Sequence, residues 1–97
     1  MNYIEAKLLF EKGLKSLVEK NYQLSIEYFE NALKLSPNRT SVLKNLVIAY
    51  LEVGNLVDAE KCLEKLIIHN KKEVDLISLI NKVYKEQDKV EHFHNYI

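Results

Sequence analysis

The 97-residue chain has very little proline, glycine, cysteine or tryptophan: one Pro, two Gly, one Cys and no Trp. So few turn residues exclude an all-β fold, which needs a turn at roughly every eight to twelve positions. They also leave no material for a glycine-rich phosphate-binding loop. The single cysteine, Cys62, excludes an internal disulfide and a multi-cysteine zinc site, and it fits a reducing compartment.

An excess of charge of one sign is also lacking, because 14 basic residues balance 14 acidic ones. This balance argues against nucleic acid as a partner, since excess basic charge is the usual footprint of a nucleic-acid-binding domain. No uncharged stretch is long enough for the core of a signal peptide or for a membrane span. We therefore expect a cytoplasmic protein without membrane insertion. The hydrophobic content of 47% is too high for a disordered chain.

Capping residues and breakers predict six helices, and hence an all-α fold. Asn2 with Glu5, Asn55 with Asp58, and Asp88 with Glu91 have the spacing of a capping box, and Gly54 suits the end of a helix. The connections are short, so successive helices fold back as antiparallel hairpins. The predicted segments are approximately Asn2–Lys20, Asn21–Ser36, Thr40–Gly54, Asn55–Asn70, Glu73–Gln87 and Asp88–Ile97.

The sequence repeats itself at a spacing of 34 residues without a gap. The shift places Leu9 on Leu43 and Asn21 on Asn55, and it does the same for Leu17 with Leu51, Glu30 with Glu64, and Tyr50 with Tyr84. A unit of this length that forms a helix–turn–helix is the signature of a helical repeat protein. The motif residues of the first unit are Gly13, Tyr22, Ser25, Phe29, Ala32 and Pro37, and the third unit matches less well.

This pattern resembles the tetratricopeptide repeat family over essentially the whole chain. The resemblance implies an α-α superhelix, a right-handed solenoid of antiparallel helix pairs, in one domain covering residues 1–97. Its units are expected at about 6–39 and 40–73, with a truncated unit at 74–97. The alternative is a generic helical bundle whose periodicity is accidental.

The third helix is predicted to be the central helix of the stack, because apolar residues cover more than half of its circumference. Its expected core residues are Val42, Leu43, Leu46, Val47, Ala49, Tyr50 and Val53.

Convergent catalytic groups are lacking, and we expect no enzymatic activity, no cofactor and no metal site. His92 and His94 are two residues apart, which on a helix separates them by about 200°. His69 is placed where an imidazolium suits a helix C-terminus. Cys62 has no identifiable partner base, so a structural role is predicted for it.

In the family that this chain resembles, the first helix of each unit lines a concave surface on which ligands bind. On the first helix the wheel shows an apolar arc of roughly 200°, wider than a single core face requires. We therefore predict a groove that is apolar at its N-terminal end and charged at its C-terminal end. Its predicted partner-binding residues are Phe10, Leu14, Leu17, Val18, Lys44, Asn45, Ile48, Leu51, Lys82 and Lys85.

The predicted function is a protein-interaction module that binds a peptide or, best of all, an amphipathic helix with anchors at i, i+3, i+4 and i+7. One alternative is self-association, with a homodimer as its simplest form. Another is that residues 92–97 cover the apolar surface. Some members of the family hold acidic C-termini in a carboxylate clamp, but only Asn45 matches that clamp here. Its other positions hold Phe10, Leu14, Asp75 and Leu79.

Overall fold

The computed structural model describes residues 2–69, 81–83 and 85, and every element in them is an α-helix. The described helices are α1 (Asn2–Val18), α2 (Tyr22–Leu35), α3 (Thr40–Glu52) and α4 (Leu56–His69). Residues 81–83 and 85 are also helical and fall in the predicted fifth helix. The rest of that segment and the predicted sixth helix lie outside the described residues.

The helices form two antiparallel pairs that stack on each other. α1 packs against α2, α3 packs against α4, and α2 packs against α3, while α1 touches α3 at its side. This arrangement is an all-α solenoid, in which each helix pair obtains its core from its neighbour. The prediction of the fold class is therefore confirmed.

A single hydrophobic core runs through both pairs. The residues that fill it most completely, each at most 2% exposed, include Phe29 of α2, Leu43 and Leu46 of α3, and Leu63 and Leu66 of α4. Val83 joins the same core, so the third unit contributes to it. Gly13 on α1 permits close packing, because a Cβ there would overlap the ring of Phe29.

Six of the seven core residues predicted on α3 are buried, and Val53 is the exception. Its side chain is 45% exposed. Val53 is the C-terminal cap of α3, and the chain turns at Gly54 immediately afterwards, which carries the valine past the packed part of the helix. Including Val53 in the core was therefore wrong.

The caps of α2 and α4 differ, although both begin after an asparagine. Asn55 accepts a hydrogen bond from the backbone N–H of Asp58 (3.2 Å), as the capping pattern predicted. The return bond differs from that pattern: the Asp58 carboxylate accepts from the side-chain amide of Asn55 (2.6 Å), because the Asn55 backbone N–H donates to the Tyr50 carbonyl. Asn21 makes no side-chain cap. Its backbone φ of −90° and ψ of 74° lie outside the extended region usual for a capping residue.

Candidate partner-binding face

The predicted lining residues of α1 and α3 occupy two helices that touch. These lining residues together are called the α1–α3 face. They are Phe10, Leu14, Leu17, Val18, Lys44, Asn45, Ile48 and Leu51. The ring of Phe10 also packs on the core ring of Phe29, with 5.8 Å between the ring centroids and an angle of 41° between the planes. The face thus rests directly on the core.

The apolar residues of the face are not equally available to a partner. Phe10, Leu14, Leu17 and Leu51 are half-buried and pack against the core. Val18 lies at the other extreme, with 81% of its side chain exposed at the last position of α1. Some of the apolar side chains that the helical wheel assigned to a partner-binding surface therefore pack against the core instead.

The remaining residues of the α1–α3 face come from the middle of α3. Lys44 and Ile48 are half-buried. The Asn45 side-chain amide donates a 2.8 Å hydrogen bond to the carbonyl of Ser41, one turn earlier. The Asn45 carbonyl oxygen is on the same side-chain amide, so the bond to Ser41 fixes the direction in which this acceptor points.

The charged end of the predicted groove is described only in part. Lys82 and Lys85 are both exposed. Asp75 and Leu79, which occupy clamp positions in the family alignment, lie outside the described residues. His92 and His94 lie outside them too.

Arg39 is a residue of this region that the sequence analysis did not single out. It directly precedes α3 and is the only arginine of the chain. The guanidinium carbon lies 5.1 Å from the ring centroid of Tyr3 and 6.0 Å from that of Phe10. Both distances are in the range of a cation–π interaction. The guanidinium therefore sits where the start of α3 meets α1.

One nitrogen of this guanidinium, Nη1, is buried and has no hydrogen-bond partner among the residues that the structure describes. A buried donor without an acceptor is costly, and most such groups in folded proteins are paired. The signal for Arg39 in the sequence was its uniqueness among 14 basic residues. Its position over two aromatic rings depends on the tertiary fold and could not be read from spacing.

Large apolar side chains are also exposed away from the predicted lining. Tyr3, Ile4 and Leu8 on α1 are 63%, 62% and 52% exposed. Val57 and Ile68 on α4 are 65% and 68% exposed. The α4 pair lies on the second helix of its unit, outside the α1–α3 face.

A second feature is a cleft of about 210 Å³ between the two helix pairs, which holds the cysteine. Its walls include Glu30, Tyr50, Asp58, Cys62 and Lys65. The Tyr50 hydroxyl donates a 2.8 Å hydrogen bond to the Glu30 carboxylate. Burial, followed by this hydrogen bond to Glu30, raises the pKa of Tyr50 above its usual range.

The cysteine in this cleft, Cys62, carries a protonated thiol at neutral pH. Burial raises the pKa of Cys62 to about 11, although Lys65 acts in the opposite direction. A thiol with this pKa is almost entirely protonated at neutral pH, and the thiolate is the reactive form. The side chain of Cys62 is 8% exposed and belongs to the core, as its predicted structural role requires.

Residues 2–69, 81–83 and 85 lack two further features. In this part of the chain no three or more His, Cys, Asp or Glu side chains are grouped so that they could hold a metal ion. None of the helices described combines the length and the hydropathy needed to cross a membrane.

Comparison with known proteins identifies relatives that share the repeat. The family model described as a tetratricopeptide repeat matches residues 17–83, more than half of the chain. The TPR repeat-containing protein YsoA of Bacillus subtilis (strain 168) is 39% identical over 59 residues, which cover 61% of this chain and 18% of that protein. The Photosystem I assembly protein Ycf3 of Prochlorococcus marinus (strain NATL1A) is 29% identical over 89 residues, or 89% of this chain and 51% of that protein. The chain thus spans about half or less of the length of these relatives.

A solved structure shows the same fold. The first TPR of Spaghetti (RPAP3), bound to the HSP90 peptide SRMEEVD, superposes with a TM-score of 0.82 and 20% sequence identity. The superposition covers 92% of this chain and 71% of the other. At this level of identity the likeness establishes the fold alone.

Proposed function

Because this chain belongs to the tetratricopeptide repeat family, we propose that it is a non-catalytic protein-interaction module. Its ligand is a peptide segment, preferably an amphipathic helix, that binds along the α1–α3 face. Lys82 and Lys85 extend this face at its charged end and are exposed. The homologous fold has been solved with a bound peptide in Spaghetti (RPAP3), which supports this kind of ligand.

The observation that carries the proposal is that apolar side chains from two different repeats remain partly exposed on helices that touch. Leu14 and Leu17 come from α1, and Ile48 and Leu51 come from α3. An apolar surface that is rimmed by polar groups is typical of an interaction site. An amphipathic helix offers a matching stripe of anchors at helical spacing.

The test is a selection followed by site-directed variants. A displayed library of 16-residue peptides would hold leucine at positions i, i+3, i+4 and i+7 and vary all other positions. Peptides selected on the wild-type chain are then measured against Ile48→Asp. We expect the affinity to fall by about tenfold or more, since the variant places a charge in a desolvated contact. Ile48 is half-buried and, within the part of the chain that the structure describes, is not among the residues packed against the core, so we expect this variant to fold.

The matched control is Val57→Asp, which places the same charge on an exposed apolar residue of α4. It should leave the peptide affinity unchanged. If no peptide is selected, or if the peptides bind Ile48→Asp as tightly as the wild type, the face is assigned wrongly. Sedimentation velocity at several concentrations tests the alternative of self-association, because a dimer that hides α1 would also weaken peptide binding.

A further inference from the structure

The feature that the proposed function leaves unexplained is the guanidinium of Arg39. Its cation is held over the rings of Tyr3 and Phe10, and within residues 2–69, 81–83 and 85 the buried Nη1 has no acceptor. The faces of the two rings attract the cation but offer no hydrogen-bond acceptor, so they leave the N–H donors of Nη1 unpaired. The natural acceptor for two parallel N–H groups is a carboxylate.

We propose that Arg39 binds a carboxylate of the partner, an Asp or Glu side chain carried beside the apolar anchor of the bound peptide. This inference rests on the proposed function, since Arg39 lies where α3 begins, in contact with Phe10 of the α1–α3 face. An acidic residue on the peptide would pair with the cation while an apolar neighbour packs on Leu14 and Ile48. Arg39 lies outside the positions of the carboxylate clamp of the family.

The described surroundings of Arg39 hold no acceptor for Nη1, which favours one supplied by the partner. The carboxylates nearest in sequence to its two rings, Glu5 and Glu11, are exposed on α1, and neither satisfies Nη1. Tyr3 is 63% exposed in the first turn of α1. Its ring can therefore change rotamer and admit an acceptor without disturbing the core.

A double-mutant cycle on the full chain tests the pairing. Peptides from the leucine-patterned library are compared with versions in which each Asp or Glu is replaced by Asn or Gln. On the wild-type chain the replacement at one position should weaken binding by about tenfold or more, as for a hydrogen bond to a charged group. On Arg39→Gln the same replacement should have little effect, because the partner cation is absent.

Two controls separate charge from geometry and from folding. Lys34→Gln removes one positive charge from an exposed position on α2 and should leave the cycle intact. Arg39→Lys keeps the charge but loses the planar pair of donors, so it should recover only part of the affinity. The peptide replacement leaves the protein unchanged, so it tests the acid requirement even if Arg39→Gln folds poorly.

A second readout uses the fact that Arg39 is the only arginine. Its Nε–H signal in a ¹⁵N NMR spectrum is therefore unique, and it should move with the acidic peptide but not with its amide counterpart. Peptides that require Ile48 yet select no acidic residue, or a cycle that is additive, would overturn the role of Arg39 and leave the groove standing. The absence of selected peptides, or peptides indifferent to Ile48→Asp, would overturn the groove and the role of Arg39 together.

Discussion

At the scale of single residues, the close packing between α1 and α2 depends on Gly13, which has no side chain. Gly13 faces the ring of Phe29, which is fully buried. Gly13 is one of the motif residues of the first unit, and the structure supplies the reason for a glycine there: the ring fills the space that a Cβ would take. Because Phe29 is surrounded by core residues, its ring has nowhere to move.

We expect Gly13→Ala to destabilise the fold by about 1–3 kcal/mol, the usual cost of forcing an extra methyl group into a packed core. Helix propensity acts in the opposite direction, since alanine is favoured over glycine inside a helix by about 1 kcal/mol. Urea denaturation decides which effect dominates. Adding Phe29→Leu replaces the ring with a smaller aliphatic side chain and leaves space for the new methyl group. The two substitutions together should therefore cost less than the sum of their separate costs. A Gly13→Ala variant more stable than the wild type would show that the contact is loose.

At the scale of elements, α1 and α3 end in the same turn although their residues differ. The Asn21 N–H donates to the Ser16 carbonyl, and 34 residues later the Asn55 N–H donates to the Tyr50 carbonyl, both at 2.8 Å. These bonds span five residues, as in a Schellman motif. The residue before each asparagine has a left-handed backbone: φ is 76° at Gly54 and 64° at the equivalent position of the first repeat, Lys20.

We expect Lys20→Gly to stabilise the chain by roughly 0.5–1 kcal/mol. The left-handed conformation costs a residue with a Cβ about 1–2 kcal/mol, which glycine avoids. Glycine also has greater freedom in the unfolded chain, and this entropy cancels about half of the stabilisation. Thermal unfolding of the variant should give a higher Tm. The converse change, Gly54→Lys, should lower it by a similar amount, since no side chain crowds that site. A lower Tm for Lys20→Gly would mean that the lysine makes a contact worth more than the strain.

The end of α3 and the start of α4 were predictable from the sequence because their signals are local, whereas Asn21 before α2 makes no side-chain cap. Asn55 and Asp58 began α4 as predicted, and Gly54 ended the turn after α3. The positions of Val53 and Arg39 were not predicted, because they depend on contacts between elements. Val53 continues the apolar pattern of α3 but lies beyond its last packed turn. Arg39 shows no pattern at all, since its rings come from residues 29 and 36 positions away.

The availability of the candidate site was also only partly predictable. The helical wheel placed Leu14 and Leu51 on the α1–α3 face, but a wheel carries no distance to the core. Their side chains reach the core and are half-buried there, whereas Val18 at the end of α1 does not. The surface open to a partner is therefore narrower than the pattern alone indicated.

At the scale of the whole molecule, the cleft between the two helix pairs contains Tyr50 and Cys62, the two groups of the described residues whose pKa is raised. Tyr50 on α3 donates to Glu30 on α2, and Cys62 on α4 lines the same cleft. Both groups are neutral when protonated, and burial disfavours the charged form of each. The stability of the whole stack is therefore coupled to pH through one interface.

We expect the free energy of unfolding to fall as pH rises between about 9 and 11. Below about pH 8 the Cys62 thiol holds its proton in both states, so it contributes almost no pH dependence there. From the usual value of 9.0 up to about 11, the unfolded chain releases this proton while the folded chain retains it. The folded state then binds more protons, and stability decreases with pH. Tyr50, whose pKa is raised for similar reasons, acts in the same direction at higher pH.

The size of this loss from Cys62 is on the order of 1–2 kcal/mol, after allowance for partial solvation of the group. Urea denaturation at intervals from pH 7 to pH 11 measures it. The control is Cys62→Ala, which lowers stability at every pH by removing a core atom but lacks the thiol titration. The difference in unfolding free energy between the two proteins should therefore shrink as pH rises. A difference that stays constant from pH 7 to pH 11 would contradict a raised pKa for Cys62, and one that grows would mean that the folded state stabilises the thiolate.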